Sequence, residues 1–185
     1  HIPLRRQRQM CIRDRLIATN SANSSNLEKF WSQENLRTIM TQNLVDKTSF
    51  LQLRPKYSNE GKRKVFQKFF GTKTMEEVLK PVFVTAYDVE LRKPILLKSY
   101  EHPETLIVEA ANATSAAPIY FPTASMRNNS WLIDGGIAAN NPALLAYVEA
   151  KKLFKGEQIK VFAIGTGLNR RKIDGKRSKD WGAIG

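Results

Sequence analysis

The stretch WLIDGGIAANNP, residues 131–142, places a single carboxylate between an apolar run and two glycines. Its first four residues, WLID, predict a short strand that ends at Asp134. Gly135 and Gly136 have no Cβ, so the backbone can turn tightly here and a substrate can approach it closely. A turn alone would explain the pattern, because Asp-Gly is a common turn sequence. A catalytic base held beside the backbone would explain it too.

The segments around this stretch predict an α/β fold. PVFVTAYDV (81–89) and PILLKSY (94–100) are rich in β-branched and aromatic residues, and the four residues between them suit a hairpin turn. IKVFAIGTG (159–167) is an almost continuous apolar run, which is typical of a strand buried between helices. We therefore predict a sheet with helices on both of its faces.

Helical patterns precede and separate these strands. Residues 27–44 have a weak helical rhythm, and KRKVFQKFFG (62–71) places its apolar side chains on one face before a terminal glycine. TMEE (74–77) has the sequence of a capping box. Residues 104–118 predict a helix that Pro118 ends, with small residues that allow close packing.

The last predicted helix follows directly on the two glycines. In NNPALLAYVEAKKLFKG (140–156), we expect Asn141 as the N-cap, Pro142 at the first helical position and Gly156 at the end. Lysines crowd the last turn, where the helix dipole favours cations. Because apolar residues nearly surround this helix, we expect it to be buried.

The composition excludes several classes of protein. The 185 residues are enough for one domain with a sizeable core, and 42% of them are hydrophobic, which is too many for a disordered chain. With one cysteine, Cys11, and two histidines, His1 and His102, we expect no disulfide framework, no metal site and no cofactor. His102 stands beside a proline and is expected on the surface. No signal peptide or transmembrane segment is recognisable, which favours a cytoplasmic or peripheral membrane location.

The net charge of +13 favours an anionic partner, either nucleic acid or an acidic lipid surface. The excess is concentrated in three blocks, at residues 5–15, 54–68 and 170–179. Solvated faces and loops would also account for such blocks. No nucleic-acid-binding motif is recognisable and aromatic residues are not interleaved with the basic runs, so we expect no nucleic-acid partner. A peripheral contact with an anionic membrane surface is the partner that the charge then favours.

Both ends of the chain predict a fragment. Residues 1–15, HIPLRRQRQMCIRDR, have no periodicity and resemble translated adapter sequence, although a genuine basic arm is the alternative. The last residues, SKDWGAIG (178–185), stop without a closing element. We therefore interpret residues 1–15 as an adapter or cloning artefact and assign residues 16–185 to a single domain.

No nucleophile accompanies Asp134 in an obvious pattern. No histidine follows position 102, so a Ser–His–Asp triad would need one from a continuation of the chain. A Ser–Asp pair, in which the carboxylate activates the hydroxyl, is the other arrangement. Ser115, with Ala113 and Ala117 two positions away, comes nearest to a G-x-S-x-G elbow, but it lies at a predicted helix end. We expect Ser115 to pack beside the Asp134 strand.

From about Lys56 onward the chain resembles the patatin-like phospholipases, which are lipid acyl hydrolases with a Ser–Asp dyad. ATSAAPIYFP followed closely by DGG is far more specific for this family than DGG alone. The matching stretches occur in the family's order and are KPVFVTAYD (80–88), ATSAAPIYFP (113–122), LIDGG (132–136) with NNPALLA (140–146), and IGTG (164–167) followed by WG (181–182).

The resemblance implies a three-layer α/β/α patatin-like fold, of which this chain is the C-terminal part. It implies that Asp134 is the proton acceptor of the dyad and that Asp134-Gly135-Gly136 is the family's Asp-Gly-Ala/Gly motif. It also implies hydrolysis of phospholipids or related lipids, of the phospholipase A or lysophospholipase type, with the apolar residues 119–121 near the acyl chain.

The chain departs from the family in two elements that catalysis requires. The glycine-rich oxyanion loop and the G-x-S-x-G elbow precede these stretches in the family, and neither occurs in the 185 residues. Oxyanion donors alone contribute on the order of 10²–10³ in rate. We therefore expect an incomplete fold and an inactive chain. The alternative is a non-catalytic lipid-surface or interaction protein with the patatin fold.

Overall fold

The structure is a computed structural model that describes residues 28–41 and 55–163. In the described residues, two helices are followed by a pair of strands, a third helix, a second pair of strands and a fourth helix, with short 3-10 turns at Met75–Glu77 and Gly135–Ile137. The elements are α1 (Gln33–Ile39), α2 (Asn59–Phe70), β1 (Phe83–Asp88), β2 (Lys93–Lys98), α3 (Ile107–Thr114), β3 (Ala124–Ser125), β4 (Trp131–Asp134) and α4 (Ala143–Leu153). This combination of helices with a sheet confirms the predicted α/β class.

The four strands form one sheet in the order β2-β1-β4-β3, and each neighbouring pair is antiparallel. β1 and β2 form the predicted hairpin, with Phe83 opposite Lys98 at one end. Oδ1 of Asp88 closes the turn by accepting the backbone N–H groups of residues 90 and 91 at 3.0 and 2.9 Å. β4 lies on the other side of β1 and places Asp134 opposite Ala86. The centre of the sheet therefore holds the carboxylate that the sequence singled out.

An aromatic cluster fills the core on the helical side. α3 packs against β1, β3 and β4, and α2 packs against α3 and α1. Phe66 of α2 is fully buried, and its ring stacks on Phe30 with the centroids 6.1 Å apart. Phe69 meets Phe30 edge-on at 4.9 Å. The apolar face predicted for residues 62–71 is thus the face that α2 buries.

The ends of the first helices follow their predicted signals. Gly71 has a φ of 59° immediately after α2, a conformation that suits glycine, so this helix ends where expected. The carboxylate of Glu77 accepts the N–H of Thr74 at 2.7 Å, and the Thr74 side chain accepts the backbone N–H of Glu77, which confirms the predicted capping box. The helical pattern at 27–44 is interrupted, because the chain turns at residue 31 and α1 begins after Ser32.

Two predictions for the C-terminal part of the described chain are wrong. α4 was expected to be buried, yet Glu149 is its one buried residue and Leu144 is 72% exposed. Residues 159–163 form no strand, and residues 164–167 lie outside the described residues. Apolar residues around a helix favour contact with another apolar surface. The helix is buried only where the fold places such a surface beside it. Within the described residues, none covers the Leu144 side of α4.

Candidate active site

Asp134 has a defined backbone and a defined side-chain orientation. It ends β4 and forms the N-cap of the 3-10 turn Gly135–Ile137. Its backbone N–H donates to the carbonyl of Ala116 at 3.0 Å, and its Oδ1 accepts the N–H of Gly136 at 2.8 Å. The side chain is half-buried. A carboxylate held in this way is oriented before any substrate arrives, as a general base needs to be.

The two glycines of the motif serve different purposes. A Cβ on Gly135 would lie 2.4 Å from the carbonyl carbon of Thr85 and 2.6 Å from its oxygen, which no side chain can tolerate. A Cβ on Gly136 would lie 3.2 Å from Oδ1 and 3.7 Å from Cγ of Asp134, and 3.8 Å from Oδ1 of Asn140. Position 135 therefore needs glycine for contact with β1, whereas position 136 can admit alanine after a small shift.

The ATSAAP segment anchors this turn from the helical side. The hydroxyl of Thr114 donates to the backbone carbonyl of Thr85 at 2.7 Å, and both residues are buried. That same carbonyl is the group against which Gly135 packs. Two residues after Thr114, the carbonyl of Ala116 accepts the N–H of Asp134. The two most specific stretches of the sequence are therefore joined by one direct hydrogen bond and by a shared contact with the carbonyl of Thr85.

Sequence reasoning missed the roles of Thr85 and Thr114 in this arrangement. Both residues lie within stretches that carry the family resemblance, VTAYD and ATSAAP. Their position within these stretches was the one indication in the sequence that they matter. It could not reveal the hydrogen bond, because the two residues are 29 positions apart in the chain.

Ser115 uses its hydroxyl within α3 and its following turn. The side chain is 4% exposed, and Oγ donates to the carbonyl of Ala111 at 2.6 Å, with a longer contact of 3.3 Å to the carbonyl of Asn112. Ser115 directly precedes Ala116, which bonds to Asp134. This position agrees with the packing role that the sequence predicted for Ser115.

The loop from the motif into α4 partly follows the expected chemistry. Oδ1 of Asn141 accepts the N–H of Ala143 at 3.1 Å. The N-cap of the helix is nevertheless Pro142, so the prediction of Asn141 as the N-cap is wrong by one residue. α4 begins at Ala143, one residue after the predicted start at Pro142, and it ends at Leu153, before Gly156. His102 was expected on the surface and is half-buried, with Nδ1 accepting the backbone N–H of Lys98 at 3.2 Å.

Lys62 corrects the interpretation of residues 54–68 as a solvated basic face. Its side chain is buried, with 1% of the residue exposed, and Nζ lies 4.3 Å from the centre of the Phe121 ring. Nζ also donates to the carbonyl of Asn112 at 3.4 Å. The aromatic face and the carbonyl offset the loss of water around the ammonium. The exposed cations of α2 are Arg63, Lys64 and Lys68. The basic blocks at 5–15 and 170–179 lie outside the described residues.

Neither a metal site nor a membrane span is found in the described part of the chain. No group of three or more histidine, cysteine, aspartate or glutamate side chains there is placed to hold a metal ion. Among the same residues, every helix is too short or too polar to cross a bilayer.

Known proteins share this sequence pattern. The patatin-like phospholipase family matches residues 15–147, which include the Asp134 turn. Patatin-like protein 3 of Arabidopsis thaliana is 29% identical over 158 residues, covering 70% of this chain and 37% of the relative. The cGAMP-activated phospholipase of Pseudomonas aeruginosa is 28% identical over 166 residues, covering 84% of this chain and 49% of the relative.

The chain therefore spans less than half the length of these two relatives, whose covered shares are 37% and 49%. The family match nevertheless extends over more than half of the chain and takes in both ATSAAP and the Asp-Gly-Gly turn. On this evidence the chain belongs to the patatin-like phospholipase family.

Proposed function

We propose that this chain is part of a lipid acyl hydrolase in which Asp134 is the proton acceptor of a Ser–Asp dyad. The observation that carries the proposal is the Asp134 turn itself. Its carboxylate is oriented by the N–H of Gly136, and its backbone is held by the carbonyl of Ala116. In such an enzyme the carboxylate removes the proton of a serine hydroxyl while that oxygen attacks the ester carbonyl of a phospholipid or lysophospholipid.

The serine of this dyad is proposed to come from a part of the protein outside the 185 residues. No serine in the sequence has glycine two positions before and after it. The 185-residue chain by itself is then expected to be inactive, because neither a G-x-S-x-G elbow nor a glycine-rich oxyanion loop occurs in its sequence. The incompleteness of the fold belongs to the same proposal.

Ile119 is the residue that we propose to contact the acyl chain. It is 69% exposed and lies three positions after Ala116, the residue whose carbonyl holds Asp134. Its φ of 72° is unusual for a β-branched residue, and such conformations occur preferentially at functional sites. The next residues, Tyr120 and Phe121, point less into solvent, and Phe121 packs on Tyr57 with ring centroids 5.5 Å apart.

The first experiment is to read the source DNA upstream of the codon for Leu16. An open frame that continues into a glycine-rich loop and a G-x-S-x-G elbow would supply the proposed nucleophile. The extended protein should then release fatty acid from phosphatidylcholine vesicles, and the 185-residue chain should release none. A start codon and a closed frame without an elbow would contradict the hydrolase proposal.

The role of Asp134 is tested by Asp134→Asn in the extended protein. The amide oxygen can still accept the N–H of Gly136, so the turn is retained while the base is lost. We expect kcat to fall by about 10²–10⁴. Asp88→Asn is the matched control, because its oxygen can still accept the N–H groups that close the β1–β2 turn. Full activity in Asp134→Asn would rule out the assignment.

A non-catalytic lipid-surface protein is the second candidate, and the charge of +13 favours it. The exposed cations of α2 would face anionic headgroups in this case. Binding to vesicles that contain phosphatidylglycerol should weaken as salt is added, and binding to pure phosphatidylcholine should be weaker at every salt concentration. Binding that does not respond to salt would count against the electrostatic contact.

A further inference from the structure

A buried carboxylate outside the Asp134 turn attaches α4 to the end of β2. Glu149 is 5% exposed, and its Oε2 accepts the hydroxyl of Tyr100 at 2.6 Å and lies 2.9 Å from Nζ of Lys98. Its Oε1 lies 2.6 Å from Nζ of Lys152. Both oxygens of the carboxylate are therefore engaged, and two of the three partners come from β2 and the turn that follows it.

The surrounding charges complete this network. Nζ of Lys98 also lies 2.8 Å from Oε1 of Glu101, and the imidazole of His102 accepts the backbone N–H of Lys98. The hydrogen bonds from Lys152, Tyr100 and Lys98 lower the pKa of Glu149 to about 2. Burial, followed by the bond to Glu149, raises the pKa of Tyr100 to about 12. Glu149 is therefore ionised and Tyr100 neutral from mildly acidic to mildly alkaline conditions.

Apolar packing contributes little to the attachment of α4. Glu149 is the single buried residue of this helix, and Leu144, Tyr147 and Val148 are exposed by 72%, 41% and 41%. The ion pair with Lys98 and the hydrogen bond from Tyr100 connect this buried residue of α4 to the end of β2 and its turn. α4 begins at Ala143 and follows the Asp-Gly-Gly turn after a connection of only a few residues, 138–142.

We propose that Glu149 is a positioning residue, whose ionic network holds α4 against the end of β2 and thereby fixes the far end of the loop that leaves the Asp134 turn. The near end of that loop is already fixed by β4 and by Gly135. With both ends held, residues 138–142 have a defined path beside the carboxylate. The inference rests on the proposed role of Asp134, but the loop and helix can be observed without any activity.

Hydrogen–deuterium exchange on the 185-residue chain tests the proposal. Glu149→Gln keeps the size of the side chain and removes its charge, so we expect amide exchange across residues 136–153 to accelerate by at least about tenfold. Exchange in β1 and α2 should be unchanged. Glu157→Gln is the matched control, because Glu157 is exposed and lies just beyond α4. Equal exchange in Glu149→Gln and the unsubstituted chain would overturn the proposal.

The pH profile distinguishes this role from a general loss of packing. Because the folded-state pKa of Glu149 is lowered, its contribution is present above its ordinary value of 4.5 and is lost as the pH falls toward about 2. Protection of residues 136–153, corrected for intrinsic exchange, should show this loss in the unsubstituted chain and in Glu157→Gln. It should be absent in Glu149→Gln. An identical acid profile in Glu149→Gln would contradict the assignment.

Tyr100→Phe provides an answer if Glu149→Gln does not fold. This change removes one hydrogen bond of 2.6 Å and leaves both ion pairs of Glu149 in place. We expect a smaller acceleration of exchange, about two- to tenfold, confined to the same residues 136–153. Acceleration spread evenly over the whole chain, or none, would show that the network does not position α4.

Discussion

At position 135 the chain has room for a hydrogen atom and for nothing larger. An added Cβ would meet backbone atoms of Thr85 at 2.4 and 2.6 Å, and β1 is held between two neighbouring strands. Gly135→Ala should therefore lower the free energy of unfolding by about 1–3 kcal/mol or more, because β1 and β4 must separate. Chemical denaturation of the purified chain measures the change.

Gly136→Ala is the control for this prediction, since the three atoms nearest to its Cβ would be side-chain atoms, of which Oδ1 of Asp134 at 3.2 Å is the closest. We expect Gly136→Ala to lower the free energy of unfolding by less than about 1 kcal/mol. Equal losses at positions 135 and 136 would mean that the close contact with Thr85 does not determine the choice of glycine.

The backbone conformation of Ile119 is unfavourable for isoleucine and lowers stability less with a different side chain. A β-branched residue at a φ of 72° is strained, while asparagine occupies this region readily. Since Ile119 is 69% exposed, little apolar burial is lost on replacement. Ile119→Asn should raise the free energy of unfolding by about 0.5–1 kcal/mol, which a shift of the thermal midpoint would report. A lower midpoint would show that the isoleucine side chain contributes more than its conformation costs.

Between elements, the contact of α3 with β1 depends on one buried hydroxyl. Thr114 donates to the carbonyl of Thr85 at 2.7 Å, and valine has the same shape without the donor. Thr114→Val should cost about 1–3 kcal/mol of stability, because a buried carbonyl loses a partner. Thr114→Ser keeps the donor and loses a methyl group, so it should cost less. Urea denaturation of both variants compares them, and a greater loss in the serine variant would reverse the assignment.

Elements that depend on local signals could be predicted from the sequence. β1, β2 and β4 coincide closely with runs of β-branched and aromatic residues, and α2 ends at its glycine. The helix predicted at 104–118 is shorter, because Ile107–Thr114 is followed by the non-helical residues 115–118, of which Ala116 bonds to Asp134. The position of Asp134 was visible because a strand, a carboxylate and two glycines are consecutive in the sequence.

Contacts between distant residues could not be predicted in this way. The bond between Thr114 and Thr85 and the attachment of Glu149 to Tyr100 join residues that are 29 and 49 positions apart. Nothing in the spacing of a single sequence pairs such residues. The prediction that α4 is buried was wrong for a related reason. Burial of a helix depends on a second surface that packs against it, and the sequence of the helix alone does not show whether that surface exists.

Over the whole molecule, the high positive charge and the exposed apolar face of α4 have opposite effects on self-association. The net charge of +13 makes copies of the chain repel one another, while Leu144, Tyr147 and Val148 of α4 favour association. Salt screens the repulsion and leaves the apolar attraction, so self-association should increase with salt concentration. Sedimentation velocity at several protein concentrations measures this trend.

The double substitution Leu144→Ser and Val148→Ser tests which surface is responsible. These side chains are 72% and 41% exposed, so the thermal midpoint should change little while association at high salt falls. If the variant associates as strongly as the unsubstituted chain at high salt, the self-association contact lies on another surface. The direction of the salt effect also separates this behaviour from binding to anionic vesicles, which salt should weaken. If added salt strengthens both self-association and vesicle binding, the chain binds a lipid surface through the apolar face of α4 and not through its charge.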